Sequence, residues 1–282
     1  MPRIAPCPRF PDNVVKDDDM EKVISKDGTP LAYQSTGSGR PLILVHGTGA
    51  AHTRWAPVVP ALAQRFRVCA VDRRGRGASG DNGSYDMRRE FEDVAALADA
   101  FGEPVDLLGH SYGGVCSLEA ALLTGNIRKL ILYEPPLPVE GVPIFPDGVI
   151  ARLQALLNQG DRAGVVSGFM REVVRMPAYE FERFRASPAW PGRVAAAHTL
   201  PRELRALESY RFRPERFAAM KLPTLLLVGG DSPHFLKAAI GSAHAALPHS
   251  RLVSLPGQQH IAMDTAPELF VREVTAFLDA AD

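Results

Sequence analysis

Short, wholly apolar runs recur along the chain and are separated by stretches with helical spacing of their apolar residues. Runs of this kind are typical of strands that are buried on both faces of a parallel sheet. They occur in the segments PLILVHG, RVCAVD, VDLLG, KLILYEPP and PTLLLVGGD, and RLVSLPG is predicted as the last strand. Between two of them, Phe91, Val94, Ala98 and Phe101 would share one face of a helix. Alternating strands and helices predict an α/β protein: a mostly parallel sheet with helices on both faces.

Two regions depart from this alternation. From Lys22 to Thr36, alternating residues predict a β-hairpin that turns at Asp27 and Gly28. From about Leu137 to Lys221 there is no convincing buried strand, only helical patterns broken by proline. We therefore predict a helical cap inserted after the fourth buried strand. The predicted division is an N-terminal flexible arm, a core in two pieces and a cap: residues 1–20, then 21–136 with 222–282, and 137–221.

The C-terminal helix has a well-marked predicted start. Thr265 and Glu268 match a capping box, and Pro267 falls in the first turn, where proline is tolerated. Phe270, Val274 and the residues that follow at helical spacing predict one apolar face directed at the sheet.

Composition excludes several classes of function. The chain has 282 residues with 32 Lys+Arg and 32 Asp+Glu, so it lacks the basic excess typical of proteins that bind nucleic acid or anionic lipid. Its apolar runs are shorter than the roughly 18 to 20 residues of a membrane helix, and its first residues lack a signal peptide's apolar centre. The cysteine and histidine spacing suggests no metal site. We expect a cytoplasmic protein that acts on a small molecule without metal or cofactor; a homo-oligomer is left open.

A serine stands at a sharp predicted corner within VDLLGHSYGGVCSLEA. Ser111 lies between Gly109 and Gly113 in the pattern G-x-S-x-G, after a buried strand and before a helix. Small flanking residues let strand and helix approach closely, and the corner exposes the hydroxyl near a helix N-terminus. A tight glycine turn without function is the alternative. The strand-to-helix context favours a nucleophile.

The serine needs a base, and the base needs an orienting carboxylate. Among eight histidines, His260 differs because it follows the last strand, on a loop at the sheet edge where Ser111 is expected. Ligands of open α/β sheets bind at this edge. Asp231 and Glu134 both follow buried strands and are both candidate acids. We favour Asp231, because the order serine, aspartate, histidine is then kept with each residue at its own strand end, and retain Glu134 as the alternative.

Two glycine-rich loops require different interpretations. Gly47 and Gly49 flank Thr48 in VHGTGAAHTRW, so the amide of Thr48 is the predicted partner of the Tyr112 amide in an oxyanion hole. The second loop, GRGASG, matches the dinucleotide pattern G-x-G-x-x-G, yet it does not open directly into a helix. We interpret it, with its arginines at positions 73, 74 and 76, as a structural loop that does not bind NAD.

The ordered motifs VHGTG, DRRGRGASG, GHSYGG, GGDSP and GQQH resemble those of the α/β-hydrolase superfamily, from about Lys22 to the C-terminus and most weakly in the cap. The resemblance implies a Ser111–Asp231–His260 triad and hydrolysis of a small-to-medium, lipophilic carboxylic ester, thioester or lactone through an acyl-enzyme. A serine in place of aspartate at position 111 argues against the dehalogenase and epoxide-hydrolase branches. C–C bond hydrolysis, a lyase reaction and a small-ligand receptor with little turnover remain alternatives.

Substrate choice is expected to lie in the cap. Seven large apolar residues of the cap are candidates for the wall of an acyl or aromatic pocket: Phe169, Met170, Met176, Tyr179, Phe181, Phe184 and Trp190. About a third of these seven are expected to face substrate, and the others to pack the cap helices on the sheet domain. The cap holds 13 Lys+Arg against 9 Asp+Glu, an excess of four. This excess is compatible with an anionic substrate and equally with a solvated helix face.

Overall fold

The computed structural model describes residues 14–17, 20–82, 85–187 and 189–281. Over this part of the chain a nine-stranded sheet has the spatial order β1-β2-β3-β5-β4-β6-β7-β8-β9. Strands β4 to β9 are parallel, and β1 to β3 add an antiparallel edge. The predicted mostly parallel α/β fold is confirmed. The strands are Val14–Asp17 (β1), Met20–Ile24 (β2), Pro30–Thr36 (β3), Pro41–Val45 (β4), Arg67–Val71 (β5), Val105–His110 (β6), Ile127–Tyr133 (β7), Thr224–Gly229 (β8) and Ser250–Leu255 (β9).

Helices follow most of the parallel strands and fill the long connection between β7 and β8. Among the described residues, no helix has both the length and the apolar character to cross a bilayer. The helices are Val59–Leu62 (α1), Met87–Asp99 (α2), Tyr112–Ala120 (α3), Val149–Asn158 (α4), Arg162–Gly168 (α5), Ala178–Arg185 (α6), Trp190–Ala195 (α7), Thr199–Ser209 (α8), His234–Ala246 (α9), Ala262–Thr265 (α10) and Pro267–Asp279 (α11).

Two hydrophobic layers cover the sheet, one on each face. Successive residues of a strand point to opposite faces, and β4 shows this directly. Ile43 and Val45 pack in the layer formed with α2, α3 and α9, whereas Leu42 and Leu44 pack in the layer formed with α1 and α11. All four side chains are fully buried. Burial of each such side chain stabilises the fold by about 1.5 to 3 kcal/mol, which explains why the wholly apolar runs became central strands.

The N-terminal edge confirms the predicted hairpin. Strands β2 and β3 pair antiparallel, and Gly28 adopts a φ of 85° in the turn between them. The predicted arm over residues 1–20 lies largely outside the described residues. Its segment Val14–Asp17 forms β1, which pairs antiparallel with β2.

The connection between β7 and β8 contains α4 to α8 and, at Phe169–Val173, a π-helix. These helices have a hydrophobic cluster of their own that includes Leu153, Val166 and Leu200. On α8, buried Glu203 forms ion pairs with Arg73 and Arg76 of the loop after β5. The helical segment is therefore tied to the sheet through charged groups as well as apolar ones. The predicted domain limits at 137 and 221 stay a prediction.

The C-terminal helix begins differently from its predicted start. Ala266 precedes α11 without a side-chain cap. The hydroxyl of Thr265 donates instead to the side-chain oxygen of Gln258, at 2.6 Å. The predicted capping box is wrong, because Thr265 ends α10 and is engaged by the neighbouring loop. The apolar face is confirmed, since Phe270 and Val274 are fully buried.

Candidate active site

The candidate residues follow neighbouring strands at one edge of the sheet. Ser111 comes directly after β6 and Glu134 directly after β7. Asp231 lies shortly after β8, and His260 lies on the loop after β9. Because β6 to β9 are consecutive parallel neighbours, all four residues lie at the carboxyl edge, the edge where ligands bind in open α/β sheets.

Ser111 has a strained backbone. Its φ of 55° and ψ of −126° are uncommon for a residue with a side chain, and such conformations cost of order 1 to 3 kcal/mol. Two hydrogen bonds hold the corner: the Ser111 amide donates to the carbonyl of Tyr133 at 2.9 Å, and the Gly114 amide donates to the Ser111 carbonyl at 2.8 Å. These hydrogen bonds therefore hold the strained turn that places Ser111 between β6 and α3.

The two glycines that flank the serine have no room for a side chain. A Cβ on Gly113 would lie 2.4 Å from the carbonyl oxygen of His46, and a Cβ on Gly109 would lie 2.5 Å from the hydroxyl of Ser117. Real Cβ atoms essentially never approach other atoms below 3.0 Å. The close approach of strand and helix that the sequence predicts is confirmed.

His260 is hydrogen-bonded to Glu134. Its Nδ1 lies 2.6 Å from Oε2 of Glu134, whose other oxygen accepts the amide of Gly229 at 2.7 Å. A carboxylate oxygen accepts, so Nδ1 carries the hydrogen and Nε2 is the basic nitrogen of the neutral ring. Glu134 is fully buried and has a φ of 47°.

Asp231 takes no part in this pairing. Its side chain is exposed, and its amide donates to the carbonyl of Gln258 at 2.9 Å. The prediction that Asp231 orients His260 is therefore corrected: the retained alternative, Glu134, is the carboxylate in contact with the imidazole. The reason is register. Tyr133 pairs with Leu227, so Glu134 stands one residue past the paired position, whereas β8 runs on to Gly229 before the chain turns away.

Two side chains that the sequence analysis did not single out support the His260 loop. His110 Nε2 donates to the carbonyl of His260 at 2.9 Å. Burial, followed by the nearby His260 and Arg54, holds the pKa of His110 well below its ordinary value, so this ring is neutral. The hydroxyl of Tyr133 donates to the carbonyl of Gln259 and accepts the amide of Ala262 at 3.0 Å. Residues that end β6 and β7 thus hold the loop that carries the imidazole.

Thr48 lies at the tip of a tight turn after β4. The amide of Ala50 donates to the carbonyl of Gly47 at 3.3 Å, and Gly49 adopts a φ of 62°. Behind the turn, His46 is buried, with its Nδ1 2.8 Å from the Gly47 carbonyl oxygen. Both predicted glycines have a local role, because one accepts the turn's hydrogen bond and the other supplies its left-handed residue.

Tyr112 is the first residue of α3, directly after the serine. A helix leaves its first amides without intrahelical carbonyl partners, and these amides form the positive end of the helix dipole. The Tyr112 side chain is anchored below the corner, since its hydroxyl lies 2.6 Å from that of Tyr85. Its backbone amide is therefore held next to Ser111.

Two adjacent chambers are both bordered by the serine. The larger has a volume of about 670 Å³ and the smaller about 100 Å³. Both are bordered by Ser111, Thr48 and His260. The smaller chamber is mainly apolar, with Ile144, Phe145, Val173, Leu204, Leu207, Phe235 and Leu236 in its wall. Ser111 and His260 thus border the same cavity, whose wall includes residues of the helices between β7 and β8.

The predicted cap residues fall into two groups. Five of the seven line the larger chamber: Phe169, Met170, Met176, Tyr179 and Phe184. Phe181 and Trp190 instead pack edge to face, with ring centroids 6.1 Å apart, in the hydrophobic cluster of the helices between β7 and β8. Five of these seven residues border the cavity, which is more than the expected third.

Charged residues that no sequence motif indicated also line the larger chamber. They are Arg54, Arg183, Arg193 and Asp264. Arg54 forms an ion pair with Asp264. Arg193 donates from Nη1 to the carbonyl of Gly49. The signal in the sequence was the cationic excess of the predicted cap, which does not indicate which arginine faces inward.

The arginine-rich loop after β5 is structural, as predicted. Arg73 forms hydrogen bonds of 2.6 and 2.7 Å with the carboxylate of Glu90, and Arg74 is paired with Asp93. All three arginines of the loop are buried. Across the described residues, no three His, Cys, Asp or Glu side chains are grouped so as to hold a metal ion.

Comparison with known proteins gives a consistent family match. Residues 42–273 match the profile of the alpha/beta hydrolase family. A non-heme haloperoxidase from Rhodococcus erythropolis is 31% identical over 262 residues, which cover 86% of this chain and 93% of the relative. An alpha/beta hydrolase from Sphaerobacter thermophilus superimposes with a TM-score of 0.80 at 37% identity, covering 91% of this chain and 99% of its own. An esterase from Rhodococcus sp. ECU1013 gives a TM-score of 0.72 at 26% identity, covering 94% and 100%.

Proposed function

Because the chain belongs to the alpha/beta hydrolase family, we propose that it is a serine hydrolase that cleaves a small-to-medium carboxylic ester, thioester or lactone through an acyl-enzyme. One observation carries the proposal: His260 is hydrogen-bonded to buried Glu134 and borders the same cavity as the strained Ser111. A nucleophile, a base and an orienting carboxylate in this relation are the minimum that acyl transfer requires.

In the proposed reaction, His260 Nε2 takes the hydroxyl proton of Ser111 while Oγ attacks the carbonyl carbon of the substrate. The amides of Thr48 and Tyr112 donate hydrogen bonds to the oxyanion that forms. His260 then protonates the leaving alcohol, and the acyl-enzyme remains. Water, deprotonated by His260, attacks the acyl-enzyme and releases the acid. Glu134 holds the imidazole in the tautomer that accepts at Nε2 and stabilises its charged form.

The two chambers differ in volume, and this difference suggests how the substrate is oriented on either side of Ser111. A volume of about 100 Å³ with an apolar wall suits a short hydrocarbon group on one side of the scissile bond. The chamber of about 670 Å³ has room for the larger part, beside aromatic and charged side chains. These dimensions support a small-molecule substrate.

A serine-directed phosphonate probe and a panel of 4-nitrophenyl esters test the proposal. We expect stoichiometric labelling of Ser111 and turnover of short-chain esters. Replacement of Ser111 by alanine should abolish labelling and lower kcat/KM by about a thousandfold or more. The matched control is Ser117→Ala, which removes a buried hydroxyl on the same helix.

The outcomes separate the alternatives. Labelling at Ser111 without turnover of any ester would overturn ester hydrolysis in favour of C–C bond cleavage or a lyase reaction on the same residues. Tight binding of a small ligand without labelling would overturn the hydrolase proposal altogether and favour a receptor.

A further inference from the structure

Arg193 presents a cation to the cavity that contains Ser111. Within the described residues Arg193 forms no ion pair, whereas Arg54 is paired with Asp264, the one carboxylate among the described residues that line the larger chamber. Arg183 also borders the cavity, near its exposed rim. Three arginines and one aspartate leave the wall of the larger chamber with an excess of two positive charges.

Arg193 contacts the turn that contains Thr48, whose amide is proposed to bind the oxyanion. Its Nη1 donates to the carbonyl of Gly49, the residue that follows Thr48. The guanidinium lies 5.7 Å from the ring centroid of Phe184, which also lines the chamber. A guanidinium has five N–H donors in one plane, so further donors remain for a group that enters the chamber beside the proposed oxyanion loop.

The surroundings of Arg193 disfavour its own charge. Burial, followed by the repulsion of Arg54, lowers the pKa of Arg193 to about 9 against the weaker attraction of Asp264. Arg193 is partly buried, and a charge shielded from water is costly unless it is paired. An anion bound in the chamber would supply the missing partner, and a carboxylate matches the planar fork of a guanidinium in two parallel hydrogen bonds.

We propose that the substrate carries a carboxylate and that Arg193 binds it, which makes half-esters of short dicarboxylic acids the substrate class. The proposal rests on the proposed function, since it names the substrate of the same serine. Hydrolysis breaks the ester C–O bond; water gives its oxygen and one hydrogen to the acid, and its other hydrogen to the alcohol. The product acid then ionises and releases one proton.

The test compares two substrates of nearly equal shape, monoethyl glutarate and its neutral carboxamide analogue, ethyl 5-amino-5-oxopentanoate. A pH-stat measures the released proton for both. We expect a KM at least about tenfold lower for the carboxylate, corresponding to ~1.4 kcal/mol of binding. Arg193→Gln should remove this preference, and Arg193→Lys, which keeps the charge, should retain part of it.

The control variant is Arg185→Gln, an exposed arginine on α6 that does not line the chamber; it should keep the full preference. A role of Arg193 confined to supporting the Gly49 turn would change kcat/KM equally for both substrates, and that result would overturn the inference. So would an absence of preference in the unaltered enzyme. Failure to hydrolyse either ester, by contrast, would count against the proposed function itself.

Discussion

At the scale of single residues, Glu134 shows how one buried carboxylate serves both the fold and the site. One oxygen accepts the imidazole N–H of His260, and the other accepts the amide of Gly229. A buried charged group is tolerated when its oxygens are hydrogen-bonded in this way. Glutamine in its place would keep the shape, yet an amide that accepts from Gly229 would turn its N–H₂ toward Nδ1 and favour the wrong imidazole tautomer.

We therefore predict that Glu134→Gln lowers kcat/KM for a 4-nitrophenyl ester by about 100- to 10,000-fold, as expected when the orienting carboxylate of such a triad is lost. Asp231→Asn, at an exposed position, should stay within about threefold of the unaltered enzyme. Steady-state kinetics on both variants, with unfolding midpoints as a check on folding, make the comparison. An equally severe loss in Asp231→Asn would restore the aspartate as the acid.

At the scale of elements, the corner between β6 and α3 depends on the close approach of the α3 backbone to the backbone at the end of β4. The carbonyl oxygens of Val45 and His46, at the end of β4, lie where a Cβ of Gly113 would stand, at 2.5 and 2.4 Å. Backbone atoms of a central strand cannot move aside without disturbing its neighbours. Glycine at this position is thus required by the packing of α3 on β4 as well as by the turn itself.

Gly113→Ala should reduce the free energy of unfolding by about 2 kcal/mol or more, since overpacking against rigid neighbours typically costs 1 to 3 kcal/mol. The matched control is Gly125→Ala, where a Cβ would meet nothing within 4 Å; it should change stability by no more than about 0.5 kcal/mol. Urea denaturation measures both. Equal stability of the two variants would refute the packing argument.

At the scale of the whole molecule, a buried charge network connects the helical segment to the sheet. Glu203 on α8 is paired with Arg73 and Arg76, and Arg73 is also paired with Glu90 on α2. Burial, followed by the repulsion of Arg73, lowers the pKa of Arg76 to about 10. Arg73 keeps Glu90 as a second partner, whereas the ion pair of Arg76 among the described residues is with Glu203, so detachment of α8 would leave Arg76 without its carboxylate.

For this reason Glu203→Gln is expected to destabilise the protein by about 3 kcal/mol, as found when one partner of a buried ion pair is removed. Glu208→Gln, on the exposed side of the same helix, should cost less than about 0.5 kcal/mol. Thermal and urea unfolding report the difference. If both variants unfold alike, the network does not hold the helices to the sheet.

Several features of the fold and the site were predictable because they are local in the sequence. The apolar runs specified central strands, since only a strand covered on both faces accepts an unbroken apolar segment. Gly109, Ser111 and Gly113 specified the corner, because few residue types tolerate such a close approach. His260 was identifiable from its place after the last strand. The start of α11 shows the limit of local rules: Thr265 matched a cap, but a neighbouring loop engaged its hydroxyl.

The amino-acid sequence by itself determined the buried strands, the serine and the histidine, since each depends on residues that are neighbours along the chain. Only the tertiary structure chose Glu134 over Asp231 and brought Arg193 to the cavity. The first outcome depends on how far β8 runs beyond its pairing with β7 before the chain turns. The second depends on which face of α7 contacts the loop after β4. Distances between residues far apart in sequence are set by packing, which no local pattern encodes.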